Sequence, residues 1–316
     1  MELKWLEDFL TLVDTRNFSR SAELRYTTQP AFSRRIKALE EWVGAPLFER
    51  SSHPIGLTDA GDQFRGIAEE VVRRLYQGRE ELRLATAGAA GTIKFAATHS
   101  LSLTFFPAWI GAIEDAGGVL NIRLDTGHAG ACVQMLLKGR CHFMLSHTHP
   151  AVETGLDPRQ FLSRAVGRDR LVPVTTPDAD GRPADRLPGT AARPCRYLAY
   201  AETSAIGRAV THMLRRRDGE AHLDRQFVSH LAAVLRTMAR EGRGLAWVPQ
   251  SQVEGDLAAG TLVRAGDPSW DLDVEIRLFR PAETLSATAE AFWTGIENRP
   301  STGLDPQPEH GDAVTA

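Results

Sequence analysis

The stretch that most constrains the fold of this chain is residues 28–44, TQPAFSRRIKALEEWVG. Its apolar side chains recur at intervals of three and four residues, which places them on one face of a helix: Phe32, Ile36, Leu39 and Val43. Thr28 is a favourable N-cap, Pro30 suits the first helical turn because it has no N–H to satisfy, and Gly44 can end the helix. We therefore predict an amphipathic helix here.

The other face of this helix carries side chains that suit the major groove of DNA. Gln29 can read adenine, and Ser33 permits a close approach of the backbone. Arg34 and Lys37 can bind guanine or phosphate. Taken alone, the same pattern is also typical of an ordinary surface helix, so the choice depends on the residues that precede it.

Two further helical segments precede this helix. Residues 3–13 bring their apolar side chains to one face, and residues 20–25 form a short helix that Ser19 can cap. Tyr26 and Thr27 then turn the chain, which completes a helix-turn-helix plan. Between residues 16 and 37 there are six basic residues and one acidic residue, as binding to phosphates requires. The predicted DNA-binding residues in this region are Arg20, Thr28, Gln29, Pro30, Ser33, Arg34 and Lys37.

Residues 4–61 resemble the DNA-binding end of LysR-type transcriptional regulators. The matching pieces, in chain order, are Phe9-Leu10, Asn17-Phe18-Ser19, Ala22, Gln29-Pro30-Ala31, Ser33, Ile36, Leu39-Glu40, Gly44, Leu47-Phe48, Arg50, Leu57-Thr58 and Gly61. The chain departs from the family in having Thr27-Thr28 before Gln29, where Ser is commoner, although Thr still caps a helix. The resemblance implies a regulator that binds double-stranded DNA sequence-specifically and is not an enzyme.

Four runs look most like the hypochlorite-responsive branch of that family. They are residues 4–6 (KWL), 8–12 (DFLTL), 29–36 (QPAFSRRI) and 99–103 (HSLSL). This narrower resemblance implies a stress-response role in which an oxidant, rather than a bound ligand, controls DNA binding.

Residues 45–57 predict a small wing beside the helix-turn-helix, so the predicted DNA-binding domain covers residues 1–57. Arg50 is expected to reach the minor groove or the DNA backbone, because Arg is favoured in narrow minor grooves. The alternative for Arg50 is a salt bridge with Glu41 or Glu49.

Residues 58–86 predict one long linker helix that Thr58 caps. Its apolar positions alternate by four and three, as in a heptad seam: Phe64, Ala68, Val71, Leu75, Gly78 and Leu82. The simplest partner for such a seam is the same helix of a second copy. We predict a homodimer or homotetramer with two recognition helices on a pseudo-palindromic operator. Packing of the seam against the rest of the chain is the alternative.

Residues 92–298 alternate strands with helices, which predicts a largely parallel sheet with helices on both faces. Residues 86–91, TAGAAG, suit a hinge, and residues 299–316 are polar and predict a disordered tail.

The family resemblance implies two lobes, like those of periplasmic binding proteins, between which the chain crosses twice. Lobe one is placed at residues 92–164 and 270–298, and lobe two at residues 165–269. The predicted fold class is therefore α+β and multi-domain: an N-terminal winged helix-turn-helix, a long linker helix and a two-lobed α/β effector domain.

Polar side chains follow several of the predicted strands. In an open α/β sheet, ligands bind beyond the carboxyl ends of strands and at helix N-termini. We therefore expect a small anionic or polar effector, whose identity stays open, between the lobes. The alternative is that each hydroxyl only caps its own helix. The predicted effector-binding residues are His99, Ser100, Ser102, Thr126, Gly127, His128, Ser146, His147, Thr203, Ser204 and Trp247.

Redox and metal sensing are competing hypotheses. Cys132 and Cys141 lie nine residues apart and could form a disulfide, although Cys is usually a small buried apolar residue. Methionine oxidation would perturb packing, but we assign no methionine as a switch. His142, His147 and His149 form a short cluster without Cys or carboxylate at ligand spacing, so we predict no metal and no cofactor.

Composition and missing motifs limit the other classes of protein. A net charge of −3 over 316 residues argues against nonspecific coating of nucleic acid and requires locally concentrated positive charge. Three cysteines do not suggest a disulfide scaffold, and without a signal sequence or membrane span we expect a cytoplasmic protein. The missing signal sequence and the N-terminal helix-turn-helix also disfavour a periplasmic binding protein.

An enzyme with an α/β domain is the remaining rival class. The sequence has no nucleophile elbow, phosphate loop, His-Glu-x-x-His helix or dinucleotide fingerprint. We therefore expect a transcriptional regulator whose partners are DNA, an effector and a second copy, with RNA polymerase as a further candidate and no membrane.

Overall fold

The computed structural model describes residues 1–49, 54–86, 91–217 and 220–298. These residues divide into an N-terminal unit, which contains the long helix and to which residues 137–140 also belong, and a C-terminal unit that begins at Gly91. None of the helices in the described ranges has both the length and the apolar character that crossing a membrane requires.

The N-terminal unit consists of three helices, two short strands and a long helix. In chain order they are α1 (Leu3–Thr15), α2 (Phe18–Leu24), α3 (Gln29–Val43), β1 (Phe48–Glu49), β2 (Gly56–Leu57) and α4 (Asp59–Thr86). The two strands pair antiparallel, with Phe48 opposite Leu57. The predicted winged helix-turn-helix and linker helix are therefore present.

The apolar stripe of α3 lies in the core of the N-terminal unit. Phe32, Ile36 and Leu39 have no exposed surface and belong to one cluster with Phe9 of α1. The rings of Phe9 and Phe48 have centroids 5.3 Å apart, which ties the wing to the same core. Each such buried side chain contributes about 1.5–3 kcal/mol, so α3 is held firmly against α1.

The caps of α2 and α3 differ from the prediction in detail. Asn17, not Ser19, caps α2, because its backbone is extended and its Oδ1 accepts a hydrogen bond from the N–H of Arg20 at 3.0 Å. Thr28 has the backbone of an N-cap, but its side chain makes no capping hydrogen bond. Gly44 ends α3 in the left-handed region, with φ 83°, as predicted.

The C-terminal unit alternates strands and helices along most of its length. In chain order they are β3 (Ile93–Thr98), α5 (His99–Thr104), α6 (Phe106–Gly117), β4 (Ile122–Gly127), α7 (Ala129–Leu137), β5 (Phe143–Thr148), β6 (Phe161–Thr175), β7 (Cys195–Tyr200), α8 (Ala205–Arg216), β8 (Leu223–Ser229), α9 (Ala232–Arg240), β9 (Ala246–Pro249), α10 (Gln250–Ala258), β10 (Val263–Arg264), β11 (Leu272–Pro281) and α11 (Ala287–Glu297).

The main sheet has mixed strand directions, so the prediction of a largely parallel sheet is wrong. Its order is β10-β6-β11-β5-β3-β4, and β9 also pairs with β6. β3 is parallel to β4 and β5, whereas the long strands β6 and β11 are antiparallel to each other and to their other partners. β6 and β11 run across both lobes and need no helical crossover of the kind that joins parallel neighbours.

Two separate hydrophobic cores confirm the two-lobed fold. On β6, Val166 belongs to the core of lobe one and Leu171 to the core of lobe two. On β11, Val274 belongs to lobe two and Ile276 to lobe one. β6 and β11 are therefore the two segments on which the chain crosses between lobes.

Three elements have little periodicity and escape prediction from sequence: the first part of β6, the strand β8 and the helix α10. β8 contains Asp224, Arg225 and Gln226 in its middle, and α10 buries Val253 and Asp256. Such segments take their structure from the neighbours they pair or pack with, because their own apolar pattern is too weak to specify it.

Candidate nucleic-acid interface and inter-lobe pocket

Polar side chains spaced three and four residues apart form one surface at the start of α3. Gln29, Ser33 and Lys37 follow one another at intervals of four residues, and Pro30 and Arg34 form the adjacent row. Of these residues, Ser33 is half-buried and the others are exposed, as is Thr28. The structure therefore places six predicted DNA-binding residues together at the end of the helix that a major groove would receive.

The remaining predicted DNA-binding residues are Arg20 and Arg50. The Arg20 side chain is 64% exposed and lies 3.2 Å from Glu23, a surface pair that costs little to break. Lys37 likewise makes only an exposed pair with Glu41, at 3.6 Å. Arg50 lies outside the described residues.

Two other arginines of the basic stretch are engaged inside the unit. Asp8 of α1 has no exposed surface, and its carboxylate lies 2.8 Å from Arg25 and 2.5 Å from Arg35. Arg25 also pairs with Glu7 at 2.6 Å. Burial alone would raise the pKa of Glu7, but hydrogen bonds from Tyr76 and Arg25 hold this pKa below its usual value. Part of the local positive charge therefore holds the helices together instead of facing DNA.

The predicted seam on α4 is split between two environments. Ala68 is buried, and Phe64 and Val71 pack partly against the helix-turn-helix core, because the first half of α4 closes that core. The prediction that Ala68 faces a partner helix is therefore wrong, and the chain's own core covers part of the surface of Phe64 and Val71. Among the side chains of α4 that the structure describes, the large exposed apolar ones are Ile67, Leu75 and Leu82.

A pocket lies between the two lobes of the C-terminal unit and encloses about 380 Å³, part of it open to solvent. Lobe one contributes the ends of β3, β4 and β5 with the residues that follow them, and lobe two contributes the start of α8 and the segment after β8. The lining residues are Thr98, His99, Ser100, Gly127, His128, Ala129, Ser146, His147, Ser204, Ala205, Ile206, His230 and Leu231.

Several helices begin at this pocket, among them α7 and α8. Ser204 caps α8 by accepting a hydrogen bond from the N–H of Gly207 at 3.2 Å. A Cβ on Gly207 would lie 2.4 Å from the Cβ of Tyr200, so the glycine lets α8 start close to β7. α7 begins at Ala129 on the opposite wall. Helix N-termini carry free N–H groups and partial positive charge, which favours an anionic ligand.

Three histidines surround the mouth of the pocket. The ring centroid of His230 lies 6.4 Å from that of His99 and 6.3 Å from that of His128. Burial, and then the neighbouring His230 and His128, lower the pKa of His99 below its usual value of 6.5. An anion placed beside His99 would favour the charged form of this ring, so its binding would be coupled to proton uptake.

A fourth histidine lies deeper. His147 is 4% exposed, and neither of its ring nitrogens has a hydrogen-bond partner among the described residues. Its Nε2 lies 3.6 Å from the buried carboxylate of Asp169 on the crossing strand β6. Burial alone would raise the pKa of Asp169, but His147 and a hydrogen bond from Ser251 at 2.6 Å hold it below the usual value. His147 can therefore donate to or accept from a ligand while it lies beside a fixed negative charge.

Two family models match the chain. Residues 3–62 match the bacterial regulatory helix-turn-helix protein, lysR family, and residues 86–299 match the LysR substrate binding domain. The chain belongs to the LysR family of transcriptional regulators. It is a regulator with a DNA-binding helix-turn-helix and an effector-binding domain, so the predicted fold class and function are confirmed.

Relatives match along almost the whole chain. The HTH-type transcriptional regulator YjiE of Escherichia coli (strain K12) is 32% identical over 295 residues, 93% of each chain. DarR of Vibrio fischeri, solved in complex with DNA, is 30% identical with a TM-score of 0.57 over 95% of this chain and 99% of that one. Full-length HypT of Salmonella typhimurium, a hypochlorite-specific LysR-type transcriptional regulator, is 31% identical with a TM-score of 0.56 over 94% and 97%.

The pocket of this LysR-type regulator contains most of the effector-binding residues that the sequence predicts. The seven that line it are His99, Ser100, Gly127, His128, Ser146, His147 and Ser204. Three others lie outside its lining: the Ser102 hydroxyl donates to the carbonyl of His99, and Thr126 and Thr203 are exposed.

The structure contradicts the predicted position of Trp247. It has no exposed surface, its Nε1 donates to the carbonyl of Trp270 at 2.8 Å, and its ring packs against Tyr197 at 5.6 Å. The prediction that Trp247 faces the crevice is wrong, because both faces of its strand β9 are covered and the indole lies in the core of lobe two.

His230 is the most informative residue that the sequence did not single out. It follows β8, whose weak apolar pattern does not predict a strand, so no strand end with ligand-binding residues is expected there. The other lining residues missed are Thr98, Ala129, Ala205, Ile206 and Leu231.

The three cysteines and His142 are buried in the C-terminal unit. All three cysteines are buried, and burial raises the pKa of Cys132 and of Cys195 to about 11 and that of Cys141 further still. Burial lowers the pKa of His142 to about 4, which keeps it neutral in the core. Within the described ranges, no group of three or more His, Cys, Asp or Glu side chains is arranged to hold a metal ion.

Proposed function

We propose that this LysR-type regulator binds its operator through the start of α3 and that a small anion in the inter-lobe pocket controls that binding. The observation that carries the effector class is the convergence of four histidines and two helix N-termini on one pocket. The histidine rings supply hydrogen-bond donors and the helix N-termini supply free N–H groups and partial positive charge, whereas Asp169 behind His147 restricts where the anion's charge can lie.

The pocket supports a coupling between ligand and lobe arrangement. Ser204 and His230 belong to lobe two, and His99, His128 and His147 belong to lobe one. A ligand that contacts both sets binds more tightly to the lobe arrangement in which both sets can reach it. This difference in affinity between arrangements is what shifts the equilibrium between them.

Oligomer formation is the second part of the proposal. Ile67, Leu75 and Leu82 are 57%, 53% and 73% exposed, an apolar exposure that a second copy of α4 would cover. A homodimer or homotetramer would place two recognition helices on the half-sites of a pseudo-palindromic operator. We place the protein in the cytoplasm because its target is DNA, with RNA polymerase as a further candidate partner.

The test measures operator binding and anion binding on the full chain. DNA from upstream of the chain's own gene is titrated at fixed ionic strength with acetate, sulfate or bromide as the probe, and the same anions are titrated by calorimetry without DNA. We expect one of these anions to bind and to change operator affinity, and His147→Asn to lose both effects.

The matched control is His212→Asn, which removes a half-buried histidine of α8 that does not line the pocket. This variant should respond like the parent chain. If His147→Asn responded to the anions like the parent chain, the proposed pocket would be contradicted. If the parent chain did not bind the operator under any condition, the DNA-binding assignment of α3 would be contradicted.

Control by an oxidant is the second candidate, and the similarity to HypT favours it. The raised thiol pKa values disfavour the cysteines, so the methionines would carry the reaction. Those in or against the cores of the C-terminal unit are Met144, Met213 and Met238.

The test of this candidate replaces all three cysteines by Ser and treats the variant with dilute hypochlorite. A change in operator affinity that methionine sulfoxide reductase reverses would support methionine oxidation. An unchanged affinity after treatment would exclude this candidate and leave the anion proposal in place.

A further inference from the structure

Tyr26 has a conformation and an exposure that the fold of the N-terminal unit does not explain. Among the described residues, Arg16 and Tyr26 are the non-glycine residues with positive φ, and Tyr26 has φ 49°. Its side chain is 99% exposed. A bulky residue in the left-handed region is unfavourable, so such a residue points to a role that the free protein does not show.

The backbone around Tyr26 forms a helix-ending motif. The N–H of Tyr26 donates to the carbonyl of Glu23, and the N–H of Thr27 donates to the carbonyl of Ala22, both at 3.0 Å. This is the Schellman pattern, whose left-handed position is usually Gly and sometimes Asn. The motif would form at least as well with glycine, so the phenol ring does not serve to end α2.

The position of Tyr26 suggests what the ring contacts. It lies three residues before Gln29, on the turn that leads into the recognition helix. The exposed cations Arg20, Arg34 and Lys37 belong to the two helices that this turn joins. A DNA duplex received by α3 would bring phosphates to this surface, and a phenol O–H is a good donor to phosphate oxygen.

Building on the proposed operator binding through α3, we propose that the Tyr26 hydroxyl donates a hydrogen bond to a DNA phosphate beside the groove that α3 enters. Tyr26 is then a positioning residue: it fixes how the helix-turn-helix sits on the duplex and reads no base itself. The left-handed backbone holds the side chain out from the turn, where no packing within the unit restricts it.

The first test compares the full-length chain with Tyr26→Phe on two duplexes at equal salt. One is enriched by the parent chain from a random-sequence pool, and the other has the same length and composition in scrambled order. Loss of one hydrogen bond to a charged group predicts a Kd about tenfold to a hundredfold higher. Because phosphate carries no sequence information, the loss should be equal on both duplexes. Unchanged affinity, or a loss confined to the enriched duplex, would overturn the proposal.

The second test uses Tyr26→Gly, which removes both the hydroxyl and the backbone strain. Relief of strain predicts amide exchange in α2 that is about twofold to fivefold slower, together with a Kd at least as high as that of Tyr26→Phe. Slower amide exchange in α2 together with weaker DNA binding cannot be explained by unfolding of the variant. Trp42→Ala, which removes another exposed aromatic ring from the far end of α3, should bind like the parent. An equal loss in Trp42→Ala would overturn the assignment to Tyr26.

Discussion

Asp8 is the buried charge that joins the three helices of the DNA-binding unit, and Asp8→Asn tests how much it contributes. The carboxylate has no exposed surface and lies 2.8 Å from the Nε of Arg25 and 2.5 Å from the Nε of Arg35. Asn keeps the shape of the side chain but removes the negative charge. It leaves two guanidinium groups beside a neutral amide that can accept from only one of them.

The expected cost follows from the burial of the partners. Breaking a buried ion pair typically costs about 3–5 kcal/mol, because the remaining charge is desolvated without compensation. The side chains of Arg25 and Arg35 are 28% and 25% exposed, so water can compensate part of this loss. We therefore expect the lower end, about 3 kcal/mol of unfolding free energy.

Amide hydrogen exchange on the full chain is the appropriate assay, because it reports α1 and α3 separately from the effector domain. A loss of about 3 kcal/mol corresponds to exchange that is more than about a hundredfold faster in the most protected amides of these helices. The control is Glu41→Gln, which removes an exposed carboxylate 3.6 Å from Lys37 and should leave exchange unchanged. If Asp8→Asn exchanged like Glu41→Gln, the argument that Asp8 holds the helices together would be refuted.

Three further predictions concern the recognition helix and the effector domain. Arg34→Ala should weaken operator binding by about 1–3 kcal/mol if Arg34 reads a base, and unchanged affinity in a folded variant would exclude that role. Burial lowers the pKa of His142 from 6.5 to about 4, so between these pH values the unfolded chain binds a proton that the folded chain does not. The stability that neutral His142 contributes is therefore complete above pH 6.5 and is lost as the pH falls towards 4. The loss should be about 3 kcal/mol in urea unfolding and absent in His142→Asn. Gly207→Ala should destabilise the domain by about 1–3 kcal/mol, because the new Cβ would overlap Tyr200, whereas Gly111→Ala has open space and should not.

The helix-turn-helix could be predicted because its information is local. The spacing of Phe32, Ile36 and Leu39 fixes which face of α3 is buried, and Gly44 fixes where the helix ends. These properties depend on residues within four positions of one another, and tertiary packing then acts in the same direction. The cap of α2 is predicted two residues too late, at Ser19 instead of Asn17, because Ser and Asn are both favourable N-caps.

The pocket could be predicted only in part. His99, Ser146 and Ser204 follow strands or begin helices, so the rule for α/β sheets finds them. His230 was missed because β8 has no clear apolar alternation. Trp247 was misplaced because an apolar strand does not show which of its covered faces meets the crevice.

By itself, the sequence determined the order of domains, the face of the recognition helix and the family, since each rests on local spacing or on residue identity. Only the tertiary structure decided how the charges and the linker seam are used. Arg34 and Arg35 are neighbours in sequence, yet Arg34 is exposed while Arg35 pairs with buried Asp8. The reason is that an ion pair depends on the position of its partner, and the partner here lies on a different helix.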